Sequence, residues 1–251
     1  MQSEKQIALT CIAHDPSGNL LPIIRELKEE LIKLSYNQKY ITISDLTPKE
    51  VVMELKQCNF NINIIEKSGA ANARREALKF VNNYSHDYYH YCDFDRLLTW
   101  IIEFPDELDT LIKNIADVDY LIIGRTQNAF NTHPEEWKVT ESISNKIMSL
   151  QLGRDVDITA GSCALSRRSM DYIIKYSSWK MTDAEWPMII NKLTDFDIDY
   201  IEAEGLKYIN KLNKDNIIDP VKSWSTRLKL SYIISQSIFD FENKVLKSKI
   251  D

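Results

Sequence analysis

Tyr89-His90-Tyr91-Cys92-Asp93-Phe94-Asp95-Arg96 closes an aromatic run with two carboxylates separated by one apolar residue. Read as a strand, the run sends residues two apart to the same face. Where the chain leaves the sheet, loop torsions bring Asp93 and Asp95 to one point, and two acidic oxygens there suit a hard divalent cation such as Mg2+ or Mn2+. A metal so placed holds a diphosphate and neutralises it as a bond to it breaks. D-x-D also arises by chance, so its meaning depends on the segments around it.

On the N-terminal side, strand-like and helix-like segments alternate. Ile7 to Ala13 is an apolar strand that runs into the turn-rich loop His14-Asp15-Pro16-Ser17-Gly18. Leu20 to Leu34 has helical spacing, with apolar residues at 20, 23, 24, 27, 31 and 34. Tyr40 to Ser44 is a second strand, followed by a helix to about Gln57 with Thr47 as its cap and Pro48 at its first position. Asn61 to Glu66 is a third strand, Ser68-Gly69 a break, Ala70 to Val81 a helix, and Tyr88 to Cys92 the fourth strand. Beyond the acidic pair, Leu97 to Phe104 and Pro105 to Ile115 read as helices and Tyr120 to Gly124 as a fifth strand. This order predicts an α/β fold with a mostly parallel, right-handed sheet flanked by helices. Ligands of such sheets sit at the carboxyl ends of the strands near a switch in strand order, where the loops after strands one, two and four converge.

The second half is less regular. Pro134 to Leu152 reads as helix, Asp157 to Ser166 as strand, Thr182 to Leu193 as a helix capped by Thr182, and Ile198 to Glu202 as a late strand. Pro220 to Lys249 reads as one or two amphipathic helices with a basic end. The division expected is one domain over residues 1–210, with halves 1–96 and 97–210, and a C-terminal helical extension over 211–251.

The formal charge of −6 and the scattered Lys and Arg exclude a basic stripe, so nucleic acid is not an expected partner. Cys11, Cys58, Cys92 and Cys163 form no C-x-x-C or zinc-like pair, which suits buried free thiols in a reducing cytoplasm. The polar N-terminus does not read as a signal peptide, and no apolar run approaches the ~20 residues of a membrane span. Peripheral membrane contact stays open through the basic C-terminal helix (Lys222, Arg227, Lys229, Lys244, Lys247, Lys249), for which a solvated amphipathic face is the plainer reading.

Further groups have a chemical and a plain reading each. Asp15 and Asp45, after the first two strands, either accept hydrogen bonds from a nucleoside or cap turns. Gly69-Ala70-Ala71-Asn72-Ala73-Arg74-Arg75 either admits an anion to a helix start, with an arginine one turn in, or is a packed Ala face with solvated arginines. It matches neither G-x-x-x-x-G-K-S/T nor G-x-G-x-x-G. Arg125, His133 and Gly161 either line an acceptor pocket or are loop and bulge residues. Asp183 and Glu185 either supply a general base or satisfy a helix N-terminus.

In order and spacing, these pieces resemble the GT-A type nucleotide-diphospho-sugar glycosyltransferases of the superfamily around family 2, over roughly Ile7 to Tyr208. The resemblance implies that Asp15 and Asp45 contact the nucleoside of a nucleoside-diphosphate sugar and Arg74 its base or diphosphate. It implies that Asp93 approaches the ribose or metal, that Asp95 binds Mg2+ or Mn2+, and that Asp183 or Glu185 deprotonates the acceptor hydroxyl in an inverting transfer. The chain departs from the family in having Ser44-Asp45-Leu46-Thr47 for Asp-Asp-Gly-Ser and Asp-Ala-Glu for Glu-Asp, and in having no His after His133. The rival readings are a sugar-nucleotide nucleotidyltransferase, which would carry a basic Gly-rich first loop, and a noncatalytic nucleotide-sugar-binding protein.

Overall fold

The computed structural model describes residues 5–115, 118–213 and 219–248. Met1 to Glu4 and Lys249, with the side chains of Lys244 and Lys247, lie outside it. Among the described residues seven strands form one sheet: β1 Ile7–Ala13, β2 Gln38–Ser44, β3 Phe60–Ile65, β4 Tyr88–Asp93, β5 Tyr120–Arg125, β6 Ser162–Ser166 and β7 Ile198–Ala203. Their order is β3-β2-β1-β4-β6-β5-β7, parallel except for β6, which runs against both neighbours. The chain winds outward from β1 through β2 to β3 and then returns to the other side of β1 as β4. The switch in strand order therefore falls between β1 and β4, with Asp15 just past one strand and Asp93 at the end of the other.

The helices are α1 Leu21–Glu26, α2 Lys28–Lys33, α3 Lys49–Gln57, α4 Ala70–Val81, α5 Phe94–Glu103, α6 Pro105–Asn114, α7 Gln127–Asn131, α8 Glu135–Leu152, α9 Arg167–Tyr176, α10 Thr182–Leu193, α11 Asn210–Asn213 and α12 Pro220–Ser248. Strand alternation divides the core in two. Leu9, Cys11, Ile41, Ile43 and Cys92 pack with Leu55, Leu97 and Trp100 on one face. Ala8, Tyr40, Tyr89 and Tyr91 pack with Leu78, Ile189 and Ile238 on the other. All four cysteines are buried free thiols.

Several local expectations are corrected. The helix expected over Leu20 to Leu34 is kinked at Leu27 (φ −99°, ψ 19°), although the hydrogen-bond ladder crosses the kink from Leu27 N–H to the Ile23 carbonyl and from Leu31 N–H to the Leu27 carbonyl. Thr47 caps nothing: its hydroxyl is shared with Ser44 Oγ (3.3 Å) and the Asp15 amide (3.5 Å), and Pro48 occupies the cap position of α3. Thr182 is the first residue of α10 rather than its cap. Of the strand expected over Asp157 to Ser166, only Ser162–Ser166 pairs, because the preceding residues are held away from the sheet by Arg125 and Asn145. No loop separates Asp93 from Asp95. α5 begins at Phe94, so Asp93 is its N-cap and Asp95 lies in its first turn. The basic C-terminal segment forms one helix, α12, which packs on α8 and α10.

Candidate active site

Two cavities meet at the carboxyl end of β4. The larger, about 550 Å³, is walled by His14 and Asp15 after β1, Ser44 of β2, and Lys67 to Gly69 before α4. The smaller, about 260 Å³, is walled by Arg74, Thr159, Gly161, Asp183, and Arg227 of α12. Asp93, Asp95 and Trp137 border both.

Asp93 is held on three sides. Its amide donates to the Gly161 carbonyl (2.9 Å), because the antiparallel pairing of Cys92 with Ser162 brings the start of β6 beside the end of β4. Arg74 Nη2 donates to its Oδ2 (2.7 Å) and the Tyr91 hydroxyl to its Oδ1, Tyr91 lying two residues back on the same face. Gly161 has φ +78°, and a Cβ there would stand 2.7 Å from Asp93 Oδ2, so only glycine leaves room for this carboxylate. Asp95 keeps 37% of its side chain exposed. Burial raises its pKa; Arg96 works against that and the Asp93 charge adds to it.

Arg74 is the centre of the constellation. Besides Asp93 it donates to Asp183 Oδ2 (2.5 Å), Thr182 Oγ1 (3.0 Å) and the Tyr91 hydroxyl (2.9 Å). A guanidinium between two carboxylates is the arrangement that makes a nearly buried charge tolerable. The sequence reading puts Arg74 on the base or diphosphate; its guanidinium instead ties the acidic end of β4 to the start of α10.

Glu185 and Asp183 separate cleanly. Glu185 is fully buried and accepts from the Ser177 hydroxyl (2.5 Å) and from the amides of Ser178 (2.5 Å) and Trp179 (2.8 Å). Arg75 supports the same loop through the Trp179 carbonyl (2.7 Å). Glu185 therefore holds a turn away from both cavities, while Asp183 lines the smaller one.

Asp15 also acts locally. It borders the larger cavity, yet Oδ1 accepts from the Asn19 amide and Oδ2 from that of Leu20, both at 2.8 Å. Asp45 is exposed and accepts from the Lys67 amide (3.1 Å), steadying the loop whose next residues wall the cavity.

Two of the three expected acceptor-pocket residues lie elsewhere. Arg125 is buried against Asp157 (2.6 and 2.9 Å), Glu141 (2.8 Å) and Thr159 (2.8 Å), and it lines neither cavity because its charge is consumed in that cluster. Burial works to raise the Asp157 pKa, but Arg125 outweighs it and the carboxyl sits at about 2. The cluster fixes the loop that delivers Gly161 to Asp93. His133 is buried among Phe130, Trp137 and Tyr208, and burial, helped by the Arg125 charge, lowers its pKa to about 3. Gly161 does border the smaller cavity.

The sequence reading missed His14, Lys67, Trp137 and Arg227 as cavity residues. His14 shares a hydrogen bond with Ser44 Oγ (2.7 Å), and burial followed by the Lys67 charge lowers its pKa. His14 and Lys67 adjoin segments whose composition already pointed to a site. Trp137 and Arg227, stacked with the guanidinium carbon 3.0 Å from the ring centroid, come from helices 90 residues apart in sequence and carried no local signal.

No family model matches the chain, and no curated protein matches it in sequence. Solved structures do. Glucosyl-3-phosphoglycerate synthase from Mycobacterium tuberculosis, in complex with UDP, superposes with a TM-score of 0.57 at 12% identity, over 94% of this chain and 81% of that one. The same enzyme with Mn2+, UDP and phosphoglyceric acid gives 0.60 at 12% identity, over 93% and 79%. A mannosyltransferase from Pyrobaculum calidifontis, with GDP-Man and Mn2+, gives 0.50 at 13% identity, over 81% of this chain and 56% of that one. The fold is that of the GT-A glycosyltransferases. The architecture expected from the strand order and the acidic pair is therefore the one observed.

Two carboxylates two residues apart, both partly exposed, suit a cation of the Mg2+ or Mn2+ kind that completes its shell with substrate phosphates and water. No cluster of three or more His, Cys, Asp or Glu that could hold a metal occurs among the described residues. Asp93 is engaged by Arg74 and Tyr91, and Asp95, which lies 4.0 Å from Arg96, keeps more of its side chain exposed; the two together could hold such a cation.

Proposed function

We propose that this chain is a metal-dependent glycosyltransferase that moves a sugar from a nucleoside-diphosphate sugar to an acceptor hydroxyl with inversion. The observation that carries this reading is the meeting of two cavities at Asp93 and Asp95, one large enough for a nucleotide and the other containing a carboxylate suited to act as base. The structural neighbours, two of which hold Mn2+ with a UDP or GDP species, support it.

The larger cavity takes the donor. Its diphosphate lies toward Lys67 and the start of α4, where Gly69 and Ala70 let phosphate approach backbone amides at the positive end of the helix. Asp95, with Asp93 beside it, would hold Mg2+ or Mn2+, which when bound supplies neutralisation of the leaving diphosphate. Arg74 and Tyr91 fix the Asp93 carboxylate, and the Arg125 cluster keeps Gly161 out of its way. The acceptor enters the smaller cavity, where Asp183, oriented through one oxygen by Arg74, takes the hydroxyl proton as the oxygen attacks the anomeric carbon. A base in the cavity opposite the leaving group makes the transfer a single displacement. Residues 1–96 then form the donor half and 97–210 the acceptor half, with α12 of the extension completing the acceptor wall through Arg227. The four buried thiols agree with a cytoplasmic setting.

Calorimetric titration of UDP and of GDP, each with Mn2+ and with EDTA, tests the reading. One nucleotide binds, and the binding is lost with EDTA and in Asp95→Asn. Binding that ignores both EDTA and Asp95→Asn would overturn the metal assignment, and binding of neither nucleotide would overturn a UDP- or GDP-sugar donor.

A further inference from the structure

α12 presents apolar side chains to solvent along one whole side. Val221, Trp224, Leu228, Tyr232 and Phe239 are 78, 39, 57, 63 and 65% exposed. Their spacings of three, four, four and seven residues align them in one stripe. The opposite side, packed on α8 and α10, buries Ser223, Ser231 and Ser237 along with Ile234, Ile238 and Phe241. A helix at home in water has its serines outside and its aromatics inside. The neighbouring α8 adds exposed Val139, Ile143 and Leu150 at spacings of four and seven. Single exposed apolar residues are ordinary, but five on one side of a helix, interrupted by Ser235 and Gln236 before Phe239, mark a surface that is covered in use.

Charge indicates what covers it. By sequence α12 carries Lys222, Arg227, Lys229, Lys244 and Lys247 against Asp240 and Glu242, a net +3 in a chain of net −6. Lys222 and Lys229 are exposed and border one edge of the stripe about one quarter-turn away at ~100° per residue. Asp219 before the helix, half-buried Asp240, and Glu242, which is paired with Lys192 at 3.4 Å, are the acidic groups close to that side. A second copy docked isologously and antiparallel would set Lys222 and Lys229 near Asp240 and Glu242, and the oligomeric state tests that occupant. An apolar stripe with Trp and Tyr, edged by lysines, instead fits a surface that is apolar within and anionic at its face. No helix among the described residues is long and apolar enough to cross a membrane, so α12 would lie on such a surface rather than span it.

We propose that α12 docks this protein on an anionic lipid bilayer, with the Val221–Phe239 stripe at the acyl boundary and Lys222 and Lys229 on the headgroups. Trp224 precedes Arg227 by three residues and Ser231 by seven, so the edge of the stripe adjoins the face that walls the smaller cavity. Docking therefore sets the rim of that cavity beside the headgroup layer. The proposal does not depend on the transferase reading.

The test is cosedimentation of the full chain with vesicles of phosphatidylcholine and phosphatidylglycerol in equal parts, and of phosphatidylcholine alone. Wild type is expected to bind the mixed vesicles, more weakly as salt is raised. Lys222→Glu with Lys229→Glu should weaken binding roughly tenfold or more. Trp224→Ser with Leu228→Ser and Phe239→Ser should abolish it, with circular dichroism and the thermal midpoint confirming that these exposed changes leave the fold intact. Absence of wild-type binding to the mixed vesicles would overturn the proposal. So would stripe variants that bind like wild type, or a solution dimer that the stripe variants dissociate.

Discussion

Replacing Gly161 by alanine separates the chemistry of the site from its stability. The residue has φ +78°, in the left-handed region, where a non-glycine residue costs roughly 1–2 kcal/mol. Its Cβ would also arrive 2.7 Å from Asp93 Oδ2, the oxygen that accepts from Arg74. Ordinary contacts begin near 3.4 Å, so the carboxylate must retreat by roughly 0.7 Å. Arg74 and Tyr91 oppose that retreat. A displacement approaching 1 Å at a reacting centre costs on the order of 10²-fold in rate. Gly153→Ala is the matched control. Gly153 has φ +69°, and a Cβ there meets nothing within 4 Å. Both variants should lose roughly 1–2 kcal/mol, or ~2–8 °C in thermal midpoint for a chain of this size. Only Gly161→Ala should lose nucleoside-diphosphate release from a sugar donor carrying the nucleotide identified by calorimetry, by about two orders of magnitude. Full turnover in Gly161→Ala, or an equal loss in Gly153→Ala, would refute the argument that Asp93 is placed by the absence of a side chain at 161.

Asp183→Asn should lower turnover by roughly 10²–10⁴-fold, whereas Glu185→Gln should lower stability by about 1–3 kcal/mol and keep most of the turnover, as measured by urea unfolding and product release. Loss of turnover in Glu185→Gln with undiminished stability would move the base from Asp183 to Glu185. Stability should also fall on acidification: burial holds His90 and His133 at pKa values of about 3, against 6.5 when exposed. The unfolded chain then binds protons that the folded chain refuses, so their contribution is complete above pH ~6.5 and shrinks toward pH ~3; at pH 5 the pair should have cost about 4 kcal/mol. Urea midpoints at pH 7 and pH 5 that coincide would contradict this.

The acidic pair, the parallel order of the first strands and the position of the switch point were readable from Ile7 to Asp95, because period-two and period-3.6 patterns and turn residues are local properties. Ala70–Val81 and Ile7–Ala13 match their expected bounds for that reason. What each polar side chain does there was not local. Asp15 caps amides four and five residues on, Glu185 holds a turn six to eight residues back, and Arg125 vanishes into a cluster with Asp157 and Glu141. Each is an acid or base whose choice between ligand and neighbour depends on which groups packing brings within 3 Å. The joining of Arg74 to Asp93 and Asp183, and the stacking of Arg227 on Trp137, exist only because α4, α8, α10 and α12 converge on one end of the sheet. Sequence alone determined the strands and main helices up to β4 and the convergence of the loops after β1, β2 and β4, since those follow from backbone preference and burial pattern, whereas α7 and α9 were not among the expected elements. Tertiary structure alone decided which carboxylates border the cavities, since a buried charge goes to whatever partner satisfies it.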